Sequence, residues 1–402
     1  MAPTDAEALK ALNTLVDTAT TLLQQLQTIL GGIQKNESPS RKKPSNAESK
    51  KTDTTSTTTS ASTDSPPSSS TGAIDALALA RDSTSLIKAH ATKISLFIIN
   101  EPFTPSAIST VIRQLVTGPI PGLASSLEIC DSNTYTSVLR RELAWRAQKV
   151  FVELGGLLQR IPKDGKILSG DKKDSFGPGG KGSLASTGLL WAACDDVVGL
   201  ANMGVGGFFV KKAEEWRDTL KDVMEEMKEW GDEEPEDDDD DDDGNDDKDV
   251  KELTDKLEET SLSKQEMLDD FMNSQESIPR NDPDGIRPRL ESSLKRLRLI
   301  VLLYQAIAKR RFKKLPSFPP KTANADLPQR LDKVAEVLQQ LPDKFGDLAA
   351  AFYDLDPEEI DKAMAEAFSD AIGVSELLSK NWNGERDEFT EWTEKFQAEI
   401  KK

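Results

Sequence analysis

Apolar residues recur along much of this chain at the three- and four-residue spacing that is typical of amphipathic helices. The first such segment runs from Asp5 to Ile33, where the spacing predicts one long helix with a heptad seam. The seam consists of Leu9, Leu12, Val16, Ala19, Leu23, Leu26, Leu30 and Ile33. Because such a helix is stable only when its apolar stripe is buried, a partner helix must exist in this chain or in another.

The same spacing predicts helices in two further parts of the chain. In the first part they span residues 73–99, 104–117, 133–161, 184–203 and 208–230. In the second part they span residues 289–314, 327–341, 357–378 and 387–402, with a shorter helix over 345–353. No sustained two-residue alternation of β-branched residues, which would predict strands, is visible. The predicted fold class is therefore all-α, built from antiparallel helical bundles.

Two segments of biased composition separate these helical parts. Ser and Thr make up 19 of the 37 residues from Asn36 to Gly72, and 14 acidic residues accompany one lysine from Asp232 to Asp249. Neither composition can bury a core, so both segments are predicted to be disordered. The predicted organisation is an N-terminal amphipathic helix (1–35), a Ser/Thr-rich tether (36–72), an N-terminal helical bundle (73–231), an acidic, largely disordered linker (232–285) and a C-terminal helical bundle (286–402).

The formal net charge of the 402-residue chain is −19, and most of it comes from the acidic run 232–249. One histidine and two cysteines exclude a Cys/His zinc site and a disulfide framework, and they favour a reducing intracellular compartment. No secretory signal is visible at the N-terminus, and the apolar stretch Leu299 to Ala308 is too short to span a membrane. The sequence therefore predicts a soluble intracellular protein without a metal cofactor.

Three motifs resemble functional sites but lack residues that those sites require. The glycine-rich segment Ser175 to Ser183 lacks the glycine and the hydroxyl residue that a Walker loop requires around its lysine. The aspartate run 239–243 imitates the start of a calcium loop, but Val250 stands where the bidentate glutamate is needed. His90 lies in a helical pattern without a nucleophile nearby in sequence. We therefore predict no catalytic residues, no cofactor and no metal site, and the chain is not expected to be an enzyme.

A basic cluster ends the first helix of the C-terminal part. It consists of Lys309, Arg310, Arg311, Lys313 and Lys314. Cations at a helix C-terminus offset the helix dipole and keep the exposed end soluble, which is one interpretation. A nuclear-import signal is the functional alternative, with a weaker second candidate at residues 41–43, and nucleic-acid contact is less favoured.

Opposite charges also lie close together in sequence. Residues 286–321 carry eleven basic residues and one acidic residue, about 40 residues after the acidic run. The two regions could associate within the molecule in a salt-sensitive way, or each could be independently solvated.

The segment Ser186 to Asp195 (Ser-Thr-Gly-Leu-Leu-Trp-Ala-Ala-Cys-Asp) resembles the cyclin-D-binding protein family, also called the Grap2 and cyclin-D-interacting family. The segment Leu341 to Ala349 with Tyr353, and an acidic region between two helical parts, support the resemblance, which covers most of residues 73–367. The Ser/Thr-rich tether is an addition in this chain.

The resemblance implies an all-helical bundle related in shape to vinculin- and talin-type bundles, with no catalytic residues. It implies a regulator of cell-cycle progression and transcription, found in nucleus and cytoplasm, that binds D-type cyclins and helix-loop-helix proteins. Trp191 and Cys194 are predicted to be core residues one helical turn apart rather than a site.

The function predicted first is that of a non-enzymatic adaptor, which binds an amphipathic helix of a cyclin-like or helix-loop-helix partner in a groove between its own helices. The acidic run supports an alternative, a chaperone for basic nuclear proteins such as histones. A vinculin-like cytoskeletal adaptor rests on fold analogy alone. Neither membrane binding nor direct nucleic-acid binding is expected.

Overall fold

A computed structural model describes residues 3–35, 74–168, 183–233, 277–320 and 325–401. Over these ranges the regular elements are helices and no strand is present, which confirms the all-α fold class. The Ser/Thr-rich tether, the glycine-rich segment and nearly all of the acidic run lie outside the described residues. The chain divides into two compact units, residues 1–205 with 318–321 and residues 206–317 with 322–402.

The first unit contains the N-terminal helices. They are α1 (Pro3–Gln34), α2 (Ala76–Ile99), α3 (Pro105–Thr117), α4 (Pro119–Ile129), α5 (Ser137–Gln159) and the first part of α6 (Ser183–Asp232). Side-chain caps start two of them: Asp75 accepts a hydrogen bond from the amide of Leu77, and Thr136 accepts one from the amide of Leu139. Helix α4 was not predicted, because two prolines and a glycine lie in its first turn, where proline is nevertheless tolerated.

The partner that the seam of α1 requires lies within the chain. Helix α1 packs against α3 and α5, and its residues Leu12, Val16, Ala19, Leu23 and Leu30 are buried there. Polar contacts accompany the packing, since the side-chain amide of Gln34 donates to Gln148 Oε1 at 2.7 Å. The predicted N-terminal helix is therefore an integral part of the first unit.

Helix α6 corresponds to two predicted helices. Its backbone is non-helical at Gly204, where φ is +66°, a conformation that favours glycine. The division between the two units falls next to this break, at residues 205 and 206, whereas the sequence predicts a domain boundary at the acidic run. Among the described residues, α6 is the helix long and apolar enough to cross a membrane by length and composition, and 39% of its most apolar window is buried. Core helices of bundles pass the same test, so this is weak evidence for a span.

The second unit contains the rest of α6, α7 (Ile286–Arg310), a 3₁₀ turn (Phe312–Lys314), α8 (Leu327–Tyr353), α9 (Pro357–Leu377) and α10 (Glu388–Ile400). Aromatic side chains hold its core. The ring of Trp230 lies 5.3 Å from that of Tyr353, and Phe345 meets Phe368 edge-on at 5.5 Å.

Helix α8 runs unbroken where the sequence predicts two helices around Pro342. Proline has no amide hydrogen, so the carbonyl of Leu338, four residues earlier, loses its helical partner. The hydroxyl of Tyr304 on α7 donates a hydrogen bond to that carbonyl. A tertiary contact therefore replaces the missing helical bond and allows α8 to continue.

Candidate interaction surfaces

The segment that carries the family resemblance forms a polar seam between α6 and α2. Three side chains of α6, four residues apart, each meet one side chain of α2. Thr187 Oγ1 lies 3.0 Å from Ser95 Oγ, Trp191 Nε1 lies 3.1 Å from Thr92 Oγ1, and Lys88 Nζ lies 2.6 Å from Asp195 Oδ1. Because the order along α2 is reversed, the two segments pair in antiparallel fashion. The segment 186–195 therefore fixes the position of α6 against α2.

The prediction that Trp191 and Cys194 are both core residues is right for Cys194 and wrong for Trp191. Cys194 is fully buried, and burial raises the pKa of its thiol to about 12, so it stays protonated and inert. Trp191 is 38% exposed. Its position at the edge of the buried face lets the indole N–H reach Thr92 on α2, which holds the ring at the surface of the seam.

Helix α5 presents large apolar side chains outward. Trp145 is 48% exposed and Val152, two turns later on the same face, is 49% exposed. Lys149 lies between them, with its Nζ 5.0 Å from the centroid of the Trp145 ring and 3.6 Å from Asp196 Oδ2. We call Trp145, Lys149 and Val152 the α5 face. Exposed apolar groups rimmed by charge are typical of protein-binding surfaces.

The α5 face was missed by sequence reasoning, which followed only the buried seam. That seam contains Leu143, Val150, Leu154 and Leu157, all of which are buried. Trp145 and Val152 are out of phase with it. A large apolar residue on the polar side of a helix whose buried side is clear from the sequence is the signal that would have identified Trp145 and Val152.

A cleft in the second unit lies between α7 and α10. Its volume is about 310 Å³, and its lining residues are Leu302, Gln305, Ala306, Lys309, Arg310, Glu388, Phe389 and Trp392. Leu302 is 49% exposed. The Trp392 ring is stacked between those of Phe389 and Phe396, at 5.6 and 5.5 Å, so one wall of the cleft is rigid and aromatic. We call it the α7–α10 cleft.

Arg311, a member of the predicted import signal, lies beneath this cleft and is 1% exposed. Its two terminal nitrogens bond the two carboxylate oxygens of Asp387 at 2.8 and 2.9 Å. It also donates to the carbonyls of Leu378 and Ser379, at 2.7 and 2.9 Å, and its guanidinium lies 4.3 Å from the centroid of the Phe389 ring. This arrangement lowers the pKa of Asp387 to about 2, chiefly through the hydrogen bond from Arg311.

The structure therefore divides the predicted cluster. Lys309, Arg310, Lys313 and Lys314 are exposed, while Arg311 is bound into the fold. A receptor could reach the four exposed cations only. The import signal stays a prediction, and Arg311 has a structural role instead.

The remaining candidates from the sequence are His90, the glycine-rich segment and the aspartate run. His90 is half-buried with its Nδ1 unbonded, and burial, reinforced by Lys93, lowers its pKa. In the part of the chain that the structure describes, no group of three or more His, Cys, Asp or Glu side chains could hold a metal ion. The glycine-rich segment and the aspartate run are outside the described ranges.

Two comparisons with known proteins bear on the family. An uncharacterized protein of Schizosaccharomyces pombe is 23% identical over 155 residues, which are 38% of this chain and 44% of that relative. The chain thus spans less than half of that relative. Residues 80–233 match the family model described as Grap2 and cyclin-D-interacting, N-terminal, and this region includes the α2–α6 seam and the α5 face. The match supports the family resemblance predicted from residues 186–195, over 154 of the 402 residues: this region is similar to the N-terminal domain of the Grap2 and cyclin-D-interacting family.

Proposed function

We propose that this protein is a non-enzymatic adaptor that binds a regulatory partner protein through its α5 face. The family domain that residues 80–233 match supports a protein-interaction role. The observation that carries the proposal is the half exposure of Trp145 and Val152 on one face of a helix inside the family domain. Tryptophan is among the residues that most often dominate the binding energy of an interface.

The partner we propose is a D-type cyclin, because the family description includes interaction with cyclin D. A helix-loop-helix regulator is the second partner class, and it would bind through an exposed helix of its own. In either case Trp145 is the apolar anchor, and the charges of Lys149 and Asp196 form the polar rim of the interface. Through these partners the chain would regulate cell-cycle progression, in both nucleus and cytoplasm.

Isothermal titration of the full chain with a purified D-type cyclin tests the proposal. We expect Trp145→Ala to weaken binding by about tenfold or more, since truncation of a central aromatic anchor costs about 2 kcal/mol. Leu96→Ala is the matched control, because Leu96 is 50% exposed on α2 and should leave the affinity unchanged. Equal affinities for the two variants would exclude the α5 face. Absence of binding by the unmodified chain would exclude the cyclin as partner.

A further inference from the structure

One face of α7 carries cations on both sides of a single exposed apolar residue. The exposed residues Lys295, Arg298, Leu302, Gln305 and Lys309 follow one another at steps of three and four, so they form one stripe along the helix. Leu302 opens into the α7–α10 cleft. The stripe therefore places the apolar opening of the α7–α10 cleft, which we call the socket, between positive charges.

The cations of this stripe differ from the others on the same helix. Arg289 pairs with Asp361 and Arg310 with Glu388. Arg287 donates to the carbonyl of Gly231 at 3.2 Å, and the Arg296 guanidinium lies 3.7 Å from the centroid of the Phe368 ring. Within the described ranges, by contrast, Lys295, Arg298 and Lys309 make no ion pair. The cations of α7 off the stripe are therefore engaged by carboxylates, a carbonyl or an aromatic ring of the fold, whereas those beside the cleft are available.

We propose that the α7–α10 cleft is a second docking site, which binds an acidic amphipathic helix of a partner protein. An apolar side chain of that helix inserts between Leu302 and Trp392. Carboxylates on the same helix face pair with Arg298 and Lys309, which lie about 6 and 10 Å from Leu302 along α7 at the helical rise of 1.5 Å per residue. At about 310 Å³ the cleft takes an anchoring side chain rather than a larger ligand.

Two features select this occupant over others. An entirely acidic segment would satisfy the cations but leave the Leu302 and Trp392 surfaces exposed to water. An entirely apolar helix would fill the socket but bury the ends of the cations without partners, which is costly. A helix with one apolar anchor and flanking carboxylates satisfies both. This site is independent of the α5 face and of the partner proposed for it.

Fluorescence anisotropy with the full chain and a designed probe tests this inference. The probe is a labelled helical peptide with one phenylalanine anchor, glutamates one turn before and two turns after it, and alanine elsewhere. We expect saturable binding that weakens with salt, and no binding of the same peptide with lysine in place of glutamate.

Matched variants locate the probe. We expect Leu302→Ala to raise the Kd by about tenfold, as loss of an interface anchor does. Leu377→Ala, which removes an equally exposed leucine (47%) from α9, should leave it unchanged. The pair Arg298→Gln and Lys309→Gln should weaken binding and reduce its salt dependence. Trp145→Ala should have no effect, so this site and the proposed function can fail separately.

Four results would overturn the inference. One is equal binding of the glutamate and lysine probes, and another is equal loss in the two leucine variants. The third is probe binding that appears only after deletion of residues 234–249. That result would mean that the chain's own acidic run occupies the cleft. Concentration-dependent dimerisation abolished by Leu302→Ala would assign it to a second copy and would likewise exclude the proposed partner.

Discussion

Arg311 and Asp387 form a bidentate ion pair that joins the end of α7 to the start of α10, with nitrogen–oxygen distances of 2.8 and 2.9 Å. Asp387 also caps α10, because its carboxylate accepts a hydrogen bond from the amide of Thr390 while the Thr390 hydroxyl accepts one from the amide of Asp387. The neighbouring pair Arg310–Glu388 joins the same two helix ends but lies in solvent, with side chains 50% and 79% exposed. Two adjacent ion pairs therefore have very different roles.

The buried pair should dominate the stability of the second unit. Asp387→Ala leaves the Arg311 guanidinium buried without its counter-charge, and we expect a loss of about 3 kcal/mol, at the lower end of the range for broken buried pairs because Asp387 is partly exposed. Glu388→Ala is the matched control and should cost less than about 1 kcal/mol. Urea unfolding of both variants measures the difference, and equal midpoints would contradict it.

The same pair should have a defined pH dependence. The pKa of Asp387 is about 2 in the folded chain, below its ordinary value of 3.8. Its stabilising contribution is therefore fully present above pH 4 and is lost as the pH falls towards 2. We expect the stability difference between the unmodified chain and Asp387→Asn to shrink over that interval. A difference that stays constant from pH 5 to pH 2 would show that the charge of Asp387 is not responsible.

Nuclear import, if the basic cluster drives it, should depend on the four exposed cations alone. Replacement of Lys309, Arg310, Lys313 and Lys314 by glutamine should lower the nuclear fraction of a fluorescent fusion while the melting temperature changes little. Arg311→Gln should instead lower the melting temperature, because it breaks the bidentate pair. Microscopy and thermal unfolding together separate the two effects. An unchanged nuclear fraction in the four-residue variant would exclude the signal.

The bond from Tyr304 to the Leu338 carbonyl should matter only because of Pro342. Tyr304→Phe leaves a buried carbonyl unsatisfied and should cost about 1–3 kcal/mol. Pro342→Ala restores an amide hydrogen at the position from which Leu338 ordinarily accepts. The cost of Tyr304→Phe should therefore be smaller in the Pro342→Ala background, as a double-mutant cycle would measure. Strictly additive effects would mean that the hydroxyl does not replace the missing helical bond.

Local features of the sequence predicted most helix ends correctly. Thr104, Pro105 and Gly118 bound α3 as expected, and Asn100 ends α2. The failures required information from distant residues. The burial of Arg311 depends on Asp387, 76 positions later, and the continuity of α8 through Pro342 depends on Tyr304, which precedes its carbonyl partner by 34.

The candidate surfaces were less predictable than the fold. The family motif at residues 186–195 was recognised, but its role in pairing α6 with α2 depends on Lys88, Thr92 and Ser95, about 100 residues earlier. A motif of this kind is conspicuous in sequence because several positions are constrained together. The residues that face solvent, such as Trp145 and Leu302, are defined only by what the rest of each unit leaves uncovered.

Site-specific photo-crosslinking determines whether the α5 face contacts the regulatory partner. A photoreactive phenylalanine derivative would replace Trp145 in one sample and Leu96 in another, each mixed with a purified D-type cyclin and illuminated. We expect a covalent adduct from position 145 and none from position 96, since the two side chains are 48% and 50% exposed but lie on different helices. Adducts from position 96 alone, or equal yields from both positions, would contradict this expectation.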